Sequence, residues 1–471
     1  HFGHLVHFQE ARNLGDILVV SITADGYVNK GPSRPVFNSD KRRIALSLLK
    51  LVDYVVVNHA PDAITVINEL RPNFYCKGPD YSDSAEDITG KILAEVEAVE
   101  SFGGSVVYTR GETFSSSKLL NEHFSNISYE QHATYKQVSS YFNQSGSEIF
   151  SRAEKTKVLV VGEAIVDKYT FCSALGKSGK EPTLALRRED SVDMLGGALA
   201  VAKTLSGIVS DVRLLTSFNS QDLPGKTIID QLGSEISTFY WDSLERPTVL
   251  KERFVEVLSG HKLLGVYSLS DEPYCMEAQN FLVNAVEANI ADLDLMLITD
   301  YGHELFFPEL VEKLIGSQTY IACNAQINAA NLGHHNIRKY KGVNLLVINE
   351  SELRFEYRDR RSSIENLLNR LLDDLSVEIA IVTSGSEGCS GMAAKERALI
   401  HCPSFTTNIV DKVGAGDALL AVSAVFLANQ APILPAMVLG SLAAAKVVGA
   451  VGNQDRITLK ELQKIMSHML K

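Results

Sequence analysis

Positive charge is in short supply: 45 Lys and Arg stand against 57 Asp and Glu, a net charge of −12 with a pI near 5.5. That balance argues against a broad electrostatic footprint for nucleic acid or an anionic membrane, because both need clustered excess Lys and Arg. An anionic ligand must be held by local charges. Cysteine is sparse too. The six (Cys76, Cys172, Cys275, Cys323, Cys389 and Cys402) form no C-x-x-C pair, which speaks against a zinc knuckle or a disulfide framework and fits a reducing, cytoplasmic setting. No uninterrupted run of about 18 apolar residues occurs and no basic stretch leads into an apolar one at the start, so a soluble protein without a membrane span is expected. Repeats with a period of about 20–50 residues are missing as well.

What is present is an ordinary globular composition, 45% hydrophobic and 22% charged. At 471 residues the chain has length for two to four domains, taking roughly 100–200 residues per domain. From Ile17 to Thr109, short apolar runs (17–20, 54–57, 73–76 and 106–108) alternate with helix-period stretches near 41–51, 60–70 and 88–100. This predicts a parallel doubly wound sheet whose strands are buried on both faces. Between about 128 and 156 polar residues take over, giving a partly helical connector. The second half restarts at Lys157–Gly162. Its period-two segments around 183–187 and 248–255 predict half-exposed antiparallel strands lying over a site, and the runs at 295–299, 345–348 and 379–383 predict further sheet strands.

Two stretches carry chemistry in the first half. His1-Phe2-Gly3-His4 precedes a helix-period run, and a helix N-terminus with two imidazoles beside it suits α-phosphate oxygens. A pair of solvated histidines is the plain alternative. Thr113 to Lys118 puts Ser115, Ser116 and Ser117 where another helix begins, either to hold a triphosphate tail or simply to cap that helix. In the second half Asp411-Lys412-Val413-Gly414-Ala415-Gly416-Asp417 is the sharpest signal. Glycines before a helix expose successive amides to a migrating phosphoryl group, and a carboxylate there can take a proton from a substrate hydroxyl.

Residues 1 to about 125 resemble the cytidylyltransferase-like nucleotidyltransferases, on His1 to His4, Phe114 to Ser117, the segment around Lys30 and Lys77-Gly78-Pro79-Asp80-Tyr81. The resemblance implies attack of a sugar-phosphate oxygen on the α-phosphorus of ATP or CTP with loss of pyrophosphate. His1, His4 and Lys30 would be electrostatic partners, Gly3 a close backbone approach, Asp80 a substrate contact, and Mg2+ would sit on the pyrophosphate. In that family a strand precedes H-x-G-H, so upstream residues are expected.

Residues 157 to 471 resemble the ribokinase-like (PfkB) sugar kinases through the D-x-x-G-A-G-D phrase. The resemblance makes Asp417 the base and Gly414, Ala415 and Gly416 the anion cradle. Asp167 would orient the sugar with Gly196 and Gly197 close by. Asn349 and Glu352 would bear on Mg2+, and Thr383, Gly385 and Gly388 would hold the nucleotide. Where the family has G-G-x-x-N, Ala200 stands in place of the asparagine. Asp300 to His303 and Asn324 to Gln326 could reach the cleft, though a structural role is the plainer reading.

The fold class expected is thus α/β in two domains, 1–127 Rossmann-like and 157–471 an α/β/α sandwich with a small β-lid, joined by 128–156. The pairing resembles the ADP-heptose synthase family with inverted domain order. This implies a bifunctional enzyme acting on a heptose-like sugar phosphate and nucleoside triphosphates, as a homodimer. The alternative is an active nucleotidyltransferase whose kinase-like half serves only binding or dimerisation.

Overall fold

A computed structural model describes residues 2–28, 35, 37–78, 92–109, 128–328, 331, 336–406, 409–452 and 456–469. The chain forms two compact units, His1–Lys136 with Lys460–Lys471, and Gln137–Leu459. The division falls inside a helix, Tyr129–Lys155, within the stretch expected as a connector.

In the first unit β1 (Val19–Thr23) pairs in parallel with β2 (Tyr54–Asn58), and β3 (Phe74–Lys77) pairs in parallel with β4 (Ser105–Tyr108). Helices Ser39–Ser47, Ile64–Leu70 and Ile92–Glu100 alternate with these strands. Asn38 starts the first of them by accepting the Lys41 N–H. The last ends where Gly103 takes φ +81° and the Gly104 N–H returns to the Val99 carbonyl.

Three expectations are corrected here. Among the described residues the strands form two parallel pairs, not one sheet. They are half-buried, not covered on both faces: Tyr54 is 63% exposed. One described apolar cluster there is Phe8, Val20 and Val52 with Leu18, Ile22, Leu46, Leu49 and Val55 against it, and Val66, Ile67, Ile92 and Val99 are buried as well. The first strand also starts later than Ile17, at Val19, since the Leu18 N–H goes to the Asp53 carboxylate at 2.7 Å instead of to a strand carbonyl.

The second unit is built on β5 (Lys157–Gly162), β8 (Asp211–Phe218), β9 (Ile236–Asp242), β12 (Leu295–Asp300), β13 (Tyr320–Ala325), β14 (Leu345–Asn349), β15 (Ile379–Thr383), β16 (Cys389–Ala393) and β17 (Ile400–Cys402). They form one sheet in the order β17-β16-β15-β14-β13-β12-β5-β8-β9, parallel from β15 to β9 and antiparallel at β16 and β17. Alternate strand residues (Leu159, Val161, Met296, Ile298, Leu346, Ile348) join helices Met276–Asn289, Pro308–Ile315 and Ile364–Leu375 in one apolar layer, as the period of two requires. Helices Ala198–Ser206 and Ala415–Ala428 pack against the same strands from their other residues. The later part of helix Tyr129–Lys155 belongs to this body, with Phe150 set edge-on to Phe426 at 5.4 Å.

A smaller sheet has the order β11 (Lys262–Ser268), β10 (Val249–Glu256), β6 (Ala164–Lys177), β7 (Leu184–Gly197). It is not wholly antiparallel as expected. β10 runs parallel to β6, with Lys251 opposite Asp167, because the chain leaves after β7, builds β8 and β9 of the main sheet, and re-enters in the direction of β6.

Candidate functional site

Helix Ala415–Ala428 starts from Gly414, which takes φ +82°, a left-handed conformation that favours glycine. No side chain caps this end, so its first amides stay free for a ligand. A Cβ added to Gly416 would meet nothing within 4 Å. Gly414, Ala415, Gly416 and Asp417 all line a cleft of about 380 Å³. Asp417 does not act as the helix cap. Its Oδ1 accepts the Tyr301 hydroxyl at 2.9 Å. Burial, helped by the charge of Asp167, pushes its carboxyl up to about 6, while the Tyr301 bond and Lys251 oppose the rise. It is therefore ionised at neutral pH yet basic enough to take a proton.

The small sheet supplies the opposite wall. Asp167 is buried and paired with Arg253, and Lys251 lies beside it in register. The Lys251 ammonium sits 5.7 Å from the Tyr301 ring and 5.9 Å from that of Tyr267. Burial lowers its pKa. Asp167, Arg253, Glu163 and Asp417 all act on it electrostatically, and Lys251 and Arg253 are the cations this wall offers to an anionic acceptor. Gly197 lines the cleft at φ +56°. Gly196 serves Asp167 itself, since a Cβ there would lie 2.2 Å from Oδ2. Ala200 is buried in helix Ala198–Ser206 and is not part of the cleft lining.

At the far end Thr383, Gly385, Gly388, Asn349 and Glu352 line the same cleft. Asn349 and Glu352 form a capping box: the Asn349 side chain accepts from Ser351 N–H at 2.8 Å, and Glu352 accepts the Asn349 N–H at 3.0 Å. Burial brings the Glu352 carboxyl up to about 7. Among the described residues no group of three or more His, Cys, Asp and Glu could hold a metal ion by itself. Each Glu352 carboxylate oxygen accepts one N–H, from Asn349 and from Ile327, and keeps a second lone pair, which leaves acceptor capacity toward a hydrated cation such as Mg2+.

Sequence reasoning undervalued several residues. Tyr301, Asn324 and Gln326 line the cleft, at or just beyond the carboxyl ends of β12 and β13, where ligands of parallel sheets gather. Asp300 is structural, buried at 1% and held by the Tyr340 hydroxyl and Lys339. Lys251 and Arg253 went unnoticed; their spacing of two on a lid strand was the available signal.

In the first unit His1, Lys30, Asp80, Ser115, Ser116 and Ser117 lie outside the described residues. Gly3 and His4 fall inside the first turn of helix Phe2–Arg12, with an exposed His4 ring stacked on Phe8 at 6.2 Å. His7, three residues on, was not singled out in the sequence. Its Nδ1 lies 2.9 Å from Oγ1 of Thr109, which follows β4, and burial lowers its pKa. This bond ties the helix bearing Gly3 and His4 to the end of β4.

Residues 1–152 match the cytidylyltransferase-like family model and residues 317–459 match the pfkB family of carbohydrate kinases. The chain thus pairs an N-terminal cytidylyltransferase-like domain with a C-terminal pfkB-type kinase domain. It is 27% identical over 308 residues to the bifunctional protein HldE of Campylobacter jejuni subsp. doylei, covering 64% of this chain and 63% of that one. Against HldE of Bradyrhizobium diazoefficiens it is 25% identical, covering 66% and 63%. The chain therefore spans just under two thirds of the length of these relatives. The likeness is to HldE proteins without a reversal, so the inverted order expected from the sequence is not retained. In fold, it resembles phosphofructokinase-2 of Escherichia coli (TM-score 0.54, 14% identity, 67% of this chain and 100% of that one). It also resembles ribokinase of Thermotoga maritima (TM-score 0.53, 18% identity, 66% and 99%).

Proposed function

We propose that the protein is a bifunctional enzyme of nucleotide-sugar synthesis. Its second unit transfers the γ-phosphoryl group of ATP to a hydroxyl of a heptose-like sugar phosphate, and its first unit joins a nucleotidyl group from ATP or CTP to a sugar phosphate. The single observation that carries the reading is Asp417, bonded to Tyr301 beside the open Gly414–Gly416 turn and across the cleft from Asp167, Lys251 and Arg253. Domain bounds of 1–127 and 157–471, with 128–156 between, go with this proposal.

In the second unit Asp417 takes the acceptor hydroxyl proton as the oxygen attacks. The amides of Gly414 to Gly416 hold the migrating group, and Asp167 orients sugar hydroxyls. Lys251 and Arg253 meet the phosphate already on the sugar. Thr383, Gly385 and Gly388 hold the nucleotide. Asn349 and Glu352 would hold Mg2+, which neutralises polyphosphate charge when bound. In-line transfer asks for little more than this positioning and neutralisation. In the first unit His1, His4 and Lys30 would stabilise charge on the α-phosphate, with Gly3, Asp80 and Ser115 to Ser117 around the substrates. A cytoplasmic homodimer belongs to the same proposal. No helix among the described residues is long and apolar enough to cross a membrane.

The test incubates the protein with Mg2+, a panel of sugar phosphates and each nucleoside triphosphate, and reads product masses. A sugar bisphosphate together with a nucleotide-sugar is the expected result. Asp417→Asn should stop ADP formation while pyrophosphate release continues. Nucleotide-sugar without any ADP from the wild type would leave the second unit as a binding module.

A further inference from the structure

Asp411, the first carboxylate of the D-x-x-G-A-G-D phrase, takes no part in the chemistry assigned above, yet it is only 6% exposed and accepts four hydrogen bonds. The Tyr169 hydroxyl donates to its Oδ2 at 2.5 Å and the Lys262 ammonium to its Oδ1 at 2.6 Å. Tyr169 stands on β6 and Lys262 on β11, so both donors belong to the small sheet. Two backbone amides complete the set: Val413 N–H to Oδ1 at 3.2 Å, and Gly452 N–H to Oδ2 at 3.3 Å. Val413 immediately precedes the Gly414–Gly416 cradle. On the lid side, the Tyr169 ring lies under the Arg253 guanidinium at 5.6 Å, and Arg253 is paired with Asp167. An unbroken chain of contacts thus runs from the cradle through Asp411, Tyr169 and Arg253 to Asp167.

We propose that Lys262 and Asp411 are positioning residues that latch the small sheet onto the phosphate loop, so that acceptor binding at Asp167 and ordering of the Gly414–Gly416 amides occur together. The physical reason is an asymmetry of burial. Lys262 is 41% exposed in its side chain while that of Asp411 is 4% exposed. β11 is an exposed edge strand along its whole length, so it moves at little cost of its own. When it lifts, a buried carboxylate loses its cation, a costly state. Asp411 is then driven to turn outward, releasing the Val413 and Gly452 amides. Acceptor seated under the lid favours the latched arrangement.

The kinetic half of this inference rests on the phosphotransfer reading above; the structural half does not. Lys262→Met and Lys262→Arg are compared with the wild type in the full chain by hydrogen exchange and by sugar kinase kinetics. In Lys262→Met, exchange over 409–417 and 449–452 should speed up roughly tenfold or more, as for a broken buried pair, while β12 and β14 stay protected. The kcat for ADP formation should fall and the acceptor KM rise together, with pyrophosphate release unchanged. Lys262→Arg should restore all three. Unchanged exchange over those peptides, or equal loosening of β12 and β14, overturns the latch. If the wild type consumes no ATP with any sugar, only the kinase reading fails and the exchange result still decides.

Discussion

Tyr301 donates its hydroxyl to Asp417 at 2.9 Å while its own backbone N–H binds the Glu163 carboxylate at 2.9 Å. One residue after β12 thus connects the carboxyl assigned as the base to a second buried acid behind it. The side-chain bond favours the ionised form of Asp417.

Tyr301→Phe should therefore raise the Asp417 pKa and move the acid limb of the kinase pH–rate profile to higher pH. A hydrogen bond to a charged group is worth about 1.5–3 kcal/mol, so kcat near the acid limb should fall by roughly tenfold or more. The loss should shrink at alkaline pH, where Asp417 is ionised in both proteins. A uniform loss at every pH would show that the hydroxyl acts in another way.

Glu163 is held up to about 8 by burial and by the nearby Asp300 charge, from an ordinary value of 4.5. The folded chain therefore carries more protons than the unfolded one between those two values. Stability from this group is fully present below 4.5 and is lost as pH rises through about 8. Thermal unfolding should shift to lower temperature across that window. Glu163→Gln, which keeps the shape without the titration, should flatten the dependence.

Lys251→Met should raise KM for a phosphorylated acceptor far more than for its neutral analogue, because it removes a cation from the wall facing the acceptor. A charge-assisted hydrogen bond is about twice as strong as a neutral one, so a loss of roughly tenfold in kcat/KM for the phosphorylated acceptor is expected. Equal effects on both acceptors would remove the phosphate from that wall.

Two glycine substitutions separate scaffold from site. Gly197→Ala forces a Cβ to 2.6 Å from the Glu163 carbonyl at φ +56° and should destabilise the second unit by about 1–3 kcal/mol, the cost of a strained backbone position. Gly416→Ala meets nothing within 4 Å. It should leave the melting temperature almost unchanged while lowering ADP formation, since the new methyl stands where the migrating phosphoryl group must approach.

In the first unit, His7→Ala should slow pyrophosphate release without touching ADP formation, by cutting the bond to Thr109. His7→Gln, which can still donate to that hydroxyl, should recover part of the rate.

The sequence by itself determined the α/β class and the second-unit strands near 295–299, 345–348 and 379–383. It also determined the turn at Gly414–Gly416, because hydrophobic periodicity and glycine placement act over a few residues. Asp167 and Asp417 stand out in the sequence as parts of contiguous phrases, and both line the one cleft. The tertiary structure decided what depends on residues distant in the chain. It set β10 parallel to β6, brought Tyr301 onto Asp417 across 116 positions, and turned Asn349 and Glu352 into a capping box. It also gathered Tyr169 and Lys262 around Asp411 across 242 and 149 positions. Which cation reaches which carboxylate is settled by how strands from different parts of the chain pack together, and no local pattern encodes that.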